Sequence, residues 1–234
     1  MLFAQKGDAP DAAAGLIKPL VGTAASSGLR AKLALCWPRH SRPFRPKSLA
    51  HYVRYLHLMH DVIRASVPLM ELALTKCEGQ TDQGLMLDDY YRHHIVEESG
   101  HVELVLEDLK DLGISNQEAM ARIPNLTVVA MTGSQYYWLE HVSPLPLLGY
   151  IAFLEGAPPT SVTLDAVKAL LPKGSKAYRA LAIHAEADPH HSREMDQLLD
   201  RLALTPHQAR LIGVSAMQTS KMFLEAAHSI IGEP

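Results

Sequence analysis

The sequence contains little that points to thiol, nucleotide or membrane chemistry. It has only two cysteines in 234 residues, Cys36 and Cys77, and they match no metal-binding or redox motif. No GxSxG, P-loop or GxGxxG pattern occurs, so serine hydrolases, kinases and dinucleotide-binding enzymes have no support. No apolar run approaches the ~18 residues that a transmembrane helix needs.

The charge balance gives no sign of a nucleic-acid partner. The formal net charge is −3 with 20% charged residues, and basic residues are not interleaved with aromatic ones. Lys6 and Asp8 interrupt the N-terminal segment, which is unlike a secretory signal peptide. We therefore expect a cytoplasmic protein with neither nucleic acid nor membrane among its partners.

The helical spacing of apolar residues predicts an all-α protein. No segment shows a convincing strand pattern, and 47% hydrophobic residues suffice for one substantial core. Residues 1–25, rich in Ala, Gly, Ser and Asp, are predicted to be a loose leader. A single helical domain is expected over residues 26–234, with one long helix over residues 48–76 and another over residues 87–112.

The segment HAEADPHH carries the most informative spacing in the chain. His184, Asp188 and His191 stand in the pattern H-x3-D-x2-H. At ~100° per residue, offsets of four and seven fall within ~60° of one another on a helix. Two His and one carboxylate suit non-haem iron and its oxygen chemistry. The alternative is a solvated, His-rich helix face, since the chain has 13 His.

A second cluster lies in the predicted helix over residues 87–112. Glu98 and His101 have the i, i+3 spacing used by helical di-iron and di-manganese proteins, and His94 and Glu97 lie within a turn of them. A buried Glu or His costs free energy without a partner, and a metal would be that partner. An ordinary surface pair is the alternative, and Glu97 is the alternative ligand to Glu98.

A third candidate, Glu155, ends the apolar run GYIAFLEG. A carboxylate there either marks a helix end that reaches solvent or supplies the ligand from a separate helix that a dinuclear site needs. The candidate ligands are then three His and three carboxylates on three predicted helices: Glu98, His101, Glu155, His184, Asp188 and His191. This mixture suits iron or manganese and is too rich in oxygen for a thiolate zinc site.

The order E-x2-H, LEG and H-x3-D-x2-H resembles the haem-oxygenase-like di-iron oxidases, often described as iron-containing redox enzymes. The flanks HHIVEESGHVELVLEDLKDLG and HAEADPHHSREM are also similar, and the resemblance runs from about Leu49 to Ile231. It implies a haem-oxygenase-like bundle of about seven helices with two Fe(II) per chain, manganese being the alternative. Members oxidise small molecules, including amino acids and fatty acids, with dioxygen by desaturation, N-oxygenation or C–C cleavage.

The resemblance therefore implies an iron-dependent oxidoreductase whose partners are O2 and a small-molecule substrate, with a homodimer as the alternative to a monomer. Two other functions stay open: a metal-binding or storage bundle without turnover, and a metal-free enzyme of the thiamin-salvage type, because related folds include such enzymes. A carboxylate-bearing substrate would need a cation, for which Arg54, Arg92 and Arg193 are the candidates.

Pro189 is a departure from a regular metal-binding helix. It stands between Asp188 and His191, and a proline removes one helical hydrogen bond and tends to kink the helix. A kink could set the spacing of the ligands or could move His191 out of line. His190 is then the alternative ligand, although it points ~100° away from His191 on a regular helix.

Overall fold

The computed structural model describes residues 28–29, 32–33, 36, 44–77, 79 and 81–230. These residues form helices and connecting turns, without a strand, which confirms the all-α class. The predicted leader over residues 1–25 lies outside the described residues. The helices from residue 49 onwards are α1 (Leu49–Ile63), α2 (Ser66–Thr75), α3 (Asp82–Glu98), α4 (His101–Asp111), α5 (Asn116–Ala121), α6 (Leu126–His141), α7 (Leu145–Glu155), α8 (Ser161–Lys168), α9 (Arg179–Arg201) and α10 (Pro206–Ser229).

The predicted helix over residues 87–112 is in fact two helices, α3 and α4. α3 begins earlier than predicted because the Thr81 side chain caps it by accepting a hydrogen bond from the Gly84 N–H. It ends at Glu98, and Gly100 takes a φ of 95°, in the left-handed region that favours glycine. Gly100, which lies inside the predicted helix over residues 87–112, is therefore part of the turn between two helices.

The predicted helix over residues 48–76 is also divided, between Ile63 and Ser66. Pro68 lies in the first turn of α2. Because proline has no N–H, it cannot continue the helical hydrogen bond to the Arg64 carbonyl, whereas it is well tolerated in a first helical turn. The sequence signal for this break is therefore Pro68.

α7 crosses the centre of the bundle, and nearly all of its residues are buried. It packs closely on α10 at Gly149, where a Cβ atom would overlap the Ile212 carbonyl oxygen and lie 2.9 Å from the Ala216 nitrogen. Only a residue without a side chain permits this approach. The close packing fixes α7 against α10 and so holds Glu155, the last residue of α7, inside the bundle.

α9, which carries the H-x3-D-x2-H pattern, is anchored at its N-terminus by a buried carboxylate of α4. Asp108 accepts hydrogen bonds from the backbone N–H groups of Arg179 (3.2 Å) and Ala180 (3.0 Å) and from the Arg179 guanidinium (3.0 Å). A carboxylate there satisfies free helix N–H groups and interacts favourably with the helix dipole. This contact fixes α9 relative to α4, and both helices carry candidate ligands.

No helix in the described part of the chain is both long and apolar enough to cross a membrane.

Candidate metal centre

Four helix segments bring the six predicted ligands to one place in the interior. They are the C-terminal ends of α3 and α7, the first residue of α4 and the middle of α9. Five of the six residues are buried, and His184 is nearly so. The Ser99–Gly100 turn is what allows Glu98 to end one helix and His101 to begin the next.

The first cluster contains His94, Glu98, Glu155 and His191, which can each offer one ligand atom within 4.8 Å of all the others. His94 Nε2 donates a 2.6 Å hydrogen bond to Glu155 Oε1. His191 Nδ1 lies 3.9 Å from that same oxygen. All four residues are buried, so helices α3, α7 and α9 each contribute a polar group to a space that water does not reach freely.

The second cluster contains Glu98, His101 and His184, which can likewise each offer one ligand atom within 4.8 Å of the others. His101 Nδ1 donates to Glu98 Oε2 at 3.1 Å, and the His101 and His184 rings lie with their centroids 4.8 Å apart. Glu98 therefore belongs to both clusters. A carboxylate has two oxygens, and this placement allows it to face two cations at once.

Asp188 contacts the second cluster through His184. Its Oδ1 accepts a 2.9 Å hydrogen bond from His184 Nδ1, and the opposite ring atom, His184 Nε2, is buried without a hydrogen bond. A carboxylate that binds one ring nitrogen fixes the tautomer and directs the other nitrogen toward a metal. Asp188 is in neither cluster, and its role as a direct ligand stays a prediction.

α9 continues as a helix through Pro189, and the two neighbouring His residues take different environments. His191 is 2% exposed, and its Nε2 lies 3.4 Å from Glu97 Oε2. His190 has 55% of its side chain exposed and faces Glu194 at 3.3 Å. α9 therefore has His191, and not His190, on the face that carries Asp188.

Two residues close to the centre were outside the predicted ligand set. His94 is in the first cluster, and its i, i+4 spacing to Glu98 is the signal that could have included it. Tyr90 stacks on the His94 ring with centroids 5.3 Å apart and 13° between the planes. Its hydroxyl is buried without a hydrogen bond, and an aromatic residue one turn before a His gives only a weak sequence signal.

The pKa directions reflect a site dominated by carboxylates. Burial opposes protonation of His94, but the charge and hydrogen bond of Glu155 outweigh it and raise the His94 pKa to about 9. For His184, burial is likewise outweighed by Asp188, and the pKa is raised. Burial favours the neutral form of Glu98, yet His101 holds its pKa below the ordinary value. The centre thus stabilises positive charge.

The polar atoms of the centre fit a bound metal. Several of them are buried and make no hydrogen bond: His94 Nδ1, Glu97 Oε2, Glu155 Oε2, His184 Nε2 and His191 Nδ1. Buried polar atoms of native proteins normally have partners. Imidazole nitrogens and carboxylate oxygens are ligands that iron accepts, so coordination would satisfy these atoms.

The described residues also enclose a cavity of about 610 Å³ that reaches the centre. Five polar residues of the centre lie in its wall: His94, Glu98, Glu155, His184 and Asp188. Most of the remaining wall is apolar, with Met59, Ile151 and Phe223 among its residues, and the described lining includes no Lys or Arg.

The three predicted cations lie elsewhere. Arg92 pairs with Asp88 on the surface, Arg54 donates to the Ile230 carbonyl, and Arg193 is exposed. Arg54 contacts the cavity wall only indirectly, through the Ile230 carbonyl.

A family model described as iron-containing redox enzyme matches residues 68–223, more than half of the chain. No curated protein sequence matches the chain at a significant level.

Solved structures share the architecture at low sequence identity. A TenA homologue from Pseudomonas syringae pv. tomato has a TM-score of 0.78 at 14% identity, covering 99% of each chain. A domain of unknown function with a haem-oxygenase-like fold from Shewanella denitrificans has 0.69 at 14%, covering 88% of each. A TenA homologue from Pyrococcus furiosus has 0.68 at 13%, covering 88% of this chain and 99% of that one. These structures confirm the haem-oxygenase-like bundle.

Proposed function

We propose, because this chain belongs to the family of iron-containing redox enzymes, that it is a non-haem di-iron oxidase or oxygenase that uses dioxygen to oxidise a small organic substrate. The observation that supports this function is the pair of buried clusters that share Glu98. Dinuclear carboxylate sites in helical bundles are built from Glu and His on facing helices in this way. A mononuclear site would leave one of the two clusters without a role.

In the proposed centre, each cluster would hold one cation, and Glu98, which belongs to both clusters, would be available to both. The residues that would hold the metals are His94, Glu98, His101, Glu155, His184 and His191, with Asp188 bound to His184. When bound, two ferrous ions would supply the activation of dioxygen and the oxidising power for the substrate. Manganese is the alternative metal for the same donors.

The protein's own part is to hold these groups and to exclude water. Tyr90 packs flat on His94 and limits rotation of that ring. Asp188 fixes the orientation of His184. Because these positions are set before substrate enters, little reorganisation is needed when the reaction begins.

The cavity favours a substrate with an apolar chain. A free amino acid carries both a cation and a carboxylate, and burying either without a partner costs several kcal/mol. The described lining includes no Lys or Arg, so the carboxylate of either class would depend on the metals of the centre. Only a fatty acid also has a long chain whose methylene groups the apolar wall can cover. Each buried CH2 contributes about 0.8 kcal/mol. Between the amino-acid and fatty-acid classes, we therefore propose the fatty-acid type, with its head group directed to the centre.

Anaerobic loading with ferrous iron, followed by an oxygen pulse, tests this function. We expect about two irons per chain, and oxygen uptake that rises with medium-chain fatty acids but not with amino acids. Iron binding without substrate-dependent oxygen uptake would indicate a storage bundle. Absence of iron after anaerobic loading would contradict the di-iron function and favour the metal-free alternative.

A further inference from the structure

A second group of His and Glu residues lies at the surface beside the buried centre. His93 and Glu97 are four residues apart on α3, and His190 and Glu194 are four residues apart on α9. The two pairs face each other across the helices, because His93 Nε2 lies 3.4 Å from Glu97 Oε1 and 3.7 Å from Glu194 Oε1. His190 Nε2 lies 3.3 Å from that same Glu194 oxygen. We call these four residues the outer cluster.

We propose that the outer cluster binds a first-row divalent cation at the surface and passes it to the buried centre through Glu97. This inference rests on the proposed function, since it concerns how that centre is filled. His93, Glu97 and Glu194 can each offer one ligand atom within 4.8 Å of the others. Iron, manganese, cobalt and zinc all accept one imidazole and two carboxylates as donors, and His190 adds a second imidazole beside Glu194.

Ordinary helix-surface ion pairs account for only part of the geometry of the outer cluster. A pair on one helix needs only its own partner, yet here two carboxylates from different helices approach each other, and like charges at that distance repel. The Oε2 atom of Glu194 is also buried without a hydrogen bond. A bound cation would offset the repulsion and would partner that oxygen.

Glu97 connects the outer cluster to the buried centre. Its Oε1 faces His93 at the surface, whereas its Oε2 lies 3.6 Å from His94 Nδ1 and 3.4 Å from His191 Nε2. One carboxylate therefore contacts ligand atoms on both sides. A cation held by Oε1 needs only a short displacement to reach Oε2 and the first cluster.

Anaerobic Co(II) binding, followed by its visible absorption, tests the proposal in the full-length chain. The test variants are His93→Asn and Glu194→Gln. The matched control is Glu186→Gln, which removes an exposed carboxylate from α9, the helix that also carries Glu194. We expect either test variant to slow the filling of the buried centre about tenfold or more, because a local anionic site raises cation on-rates by that order. The control should fill at the wild-type rate, and final occupancy of the buried centre should be the same in all four proteins.

In an equilibrium titration, the wild-type protein should bind one more cation than the test variants. This additional cation is the one held by the outer cluster, and it should be the most weakly bound. Wild-type filling rates in both test variants would overturn the proposal, as would equal slowing by the control. Failure of the proposed function would be distinct. The buried centre would then either remain empty in every protein, including wild type, or fill without substrate-dependent oxygen uptake. Circular dichroism of each variant checks that folding is unchanged, and the exposure of His93 makes that the expected result.

Discussion

His191 Nε2 lies 3.4 Å from Glu97 Oε2 in the interior between α9 and α3. The preceding residue, His190, lies on the surface against Glu194. His191 thus faces the buried centre, whereas the adjacent His190 belongs to the outer cluster at the surface.

The first prediction concerns these two histidines. His191→Ala should lower iron occupancy and abolish substrate-dependent oxygen uptake, because the first cluster loses a nitrogen ligand and its carboxylates repel one another. His190→Ala should retain both once the centre is fully loaded, although loading should be slower. Iron content and oxygen consumption, measured side by side after prolonged anaerobic loading, check this. The reverse pattern would mean that His190, and not His191, is the ligand, with α9 turned at Pro189 relative to a regular helix.

The second prediction separates the shared carboxylate from a ligand of one cluster. Glu98→Ala should lose both irons, because Glu98 belongs to both clusters. His101→Ala should lose about one of the two, since His101 belongs only to the second cluster. Anaerobic reconstitution followed by metal analysis gives the stoichiometries. Equal iron content in the two variants would show that Glu98 is not shared.

Much of the site was predictable from the sequence because helical periodicity relates spacing to direction. The H-x3-D-x2-H pattern places His184, Asp188 and His191 on one side of α9, as the structure has them. The two helix breaks were missed for different reasons. Gly100 breaks its helix through a backbone conformation that the sequence allows but does not require. Pro68 was an available signal that the apolar periodicity obscured.

The contacts between helices were not predictable in this way. Nothing in the spacing of Glu155 indicates that His94 would be its partner, because 61 residues separate them. Such pairs depend on how helices are placed in the bundle, and here a main determinant is the close approach of α7 and α10. The outer cluster is of the same kind, since each of its two halves is an ordinary i, i+4 pair on its own helix.

The third prediction tests that close approach. Gly149→Ala should destabilise the protein by about 3 kcal/mol, toward the upper end for overpacking, because the added Cβ meets backbone atoms that cannot rotate away. Gly133→Ala is the matched control, in an exposed part of α6 with open space around the site. It should stabilise the protein by about 0.5–1 kcal/mol through helix propensity. Urea unfolding of both variants measures the difference, and similar stabilities would contradict the packing described for α7.

The fourth prediction concerns pH and His57 on α1. Burial is the main cause that lowers the pKa of His57 to about 4, with Arg122 also lowering it and Asp61 opposing. The unfolded chain, with an ordinary His pKa of 6.5, therefore binds more protons than the folded protein between these values. The free energy of unfolding should have its full His57 contribution above pH 6.5 and lose it as pH falls toward 4.

Between pH 7.5 and pH 5 the loss should be about 2 kcal/mol, because pH 5 lies about 1.5 units below the ordinary His pKa and each unit corresponds to about 1.36 kcal/mol. Substitution can isolate this contribution. Urea unfolding at pH 7.5 and pH 5 should show a smaller difference in His57→Gln than in wild type, because glutamine cannot take up the proton. His228→Gln is the control, since His228 is exposed on α10, and it should keep the wild-type difference. An unchanged pH dependence in His57→Gln would mean that water reaches the His57 ring well enough to stabilise its charged form, so that burial does not lower its pKa.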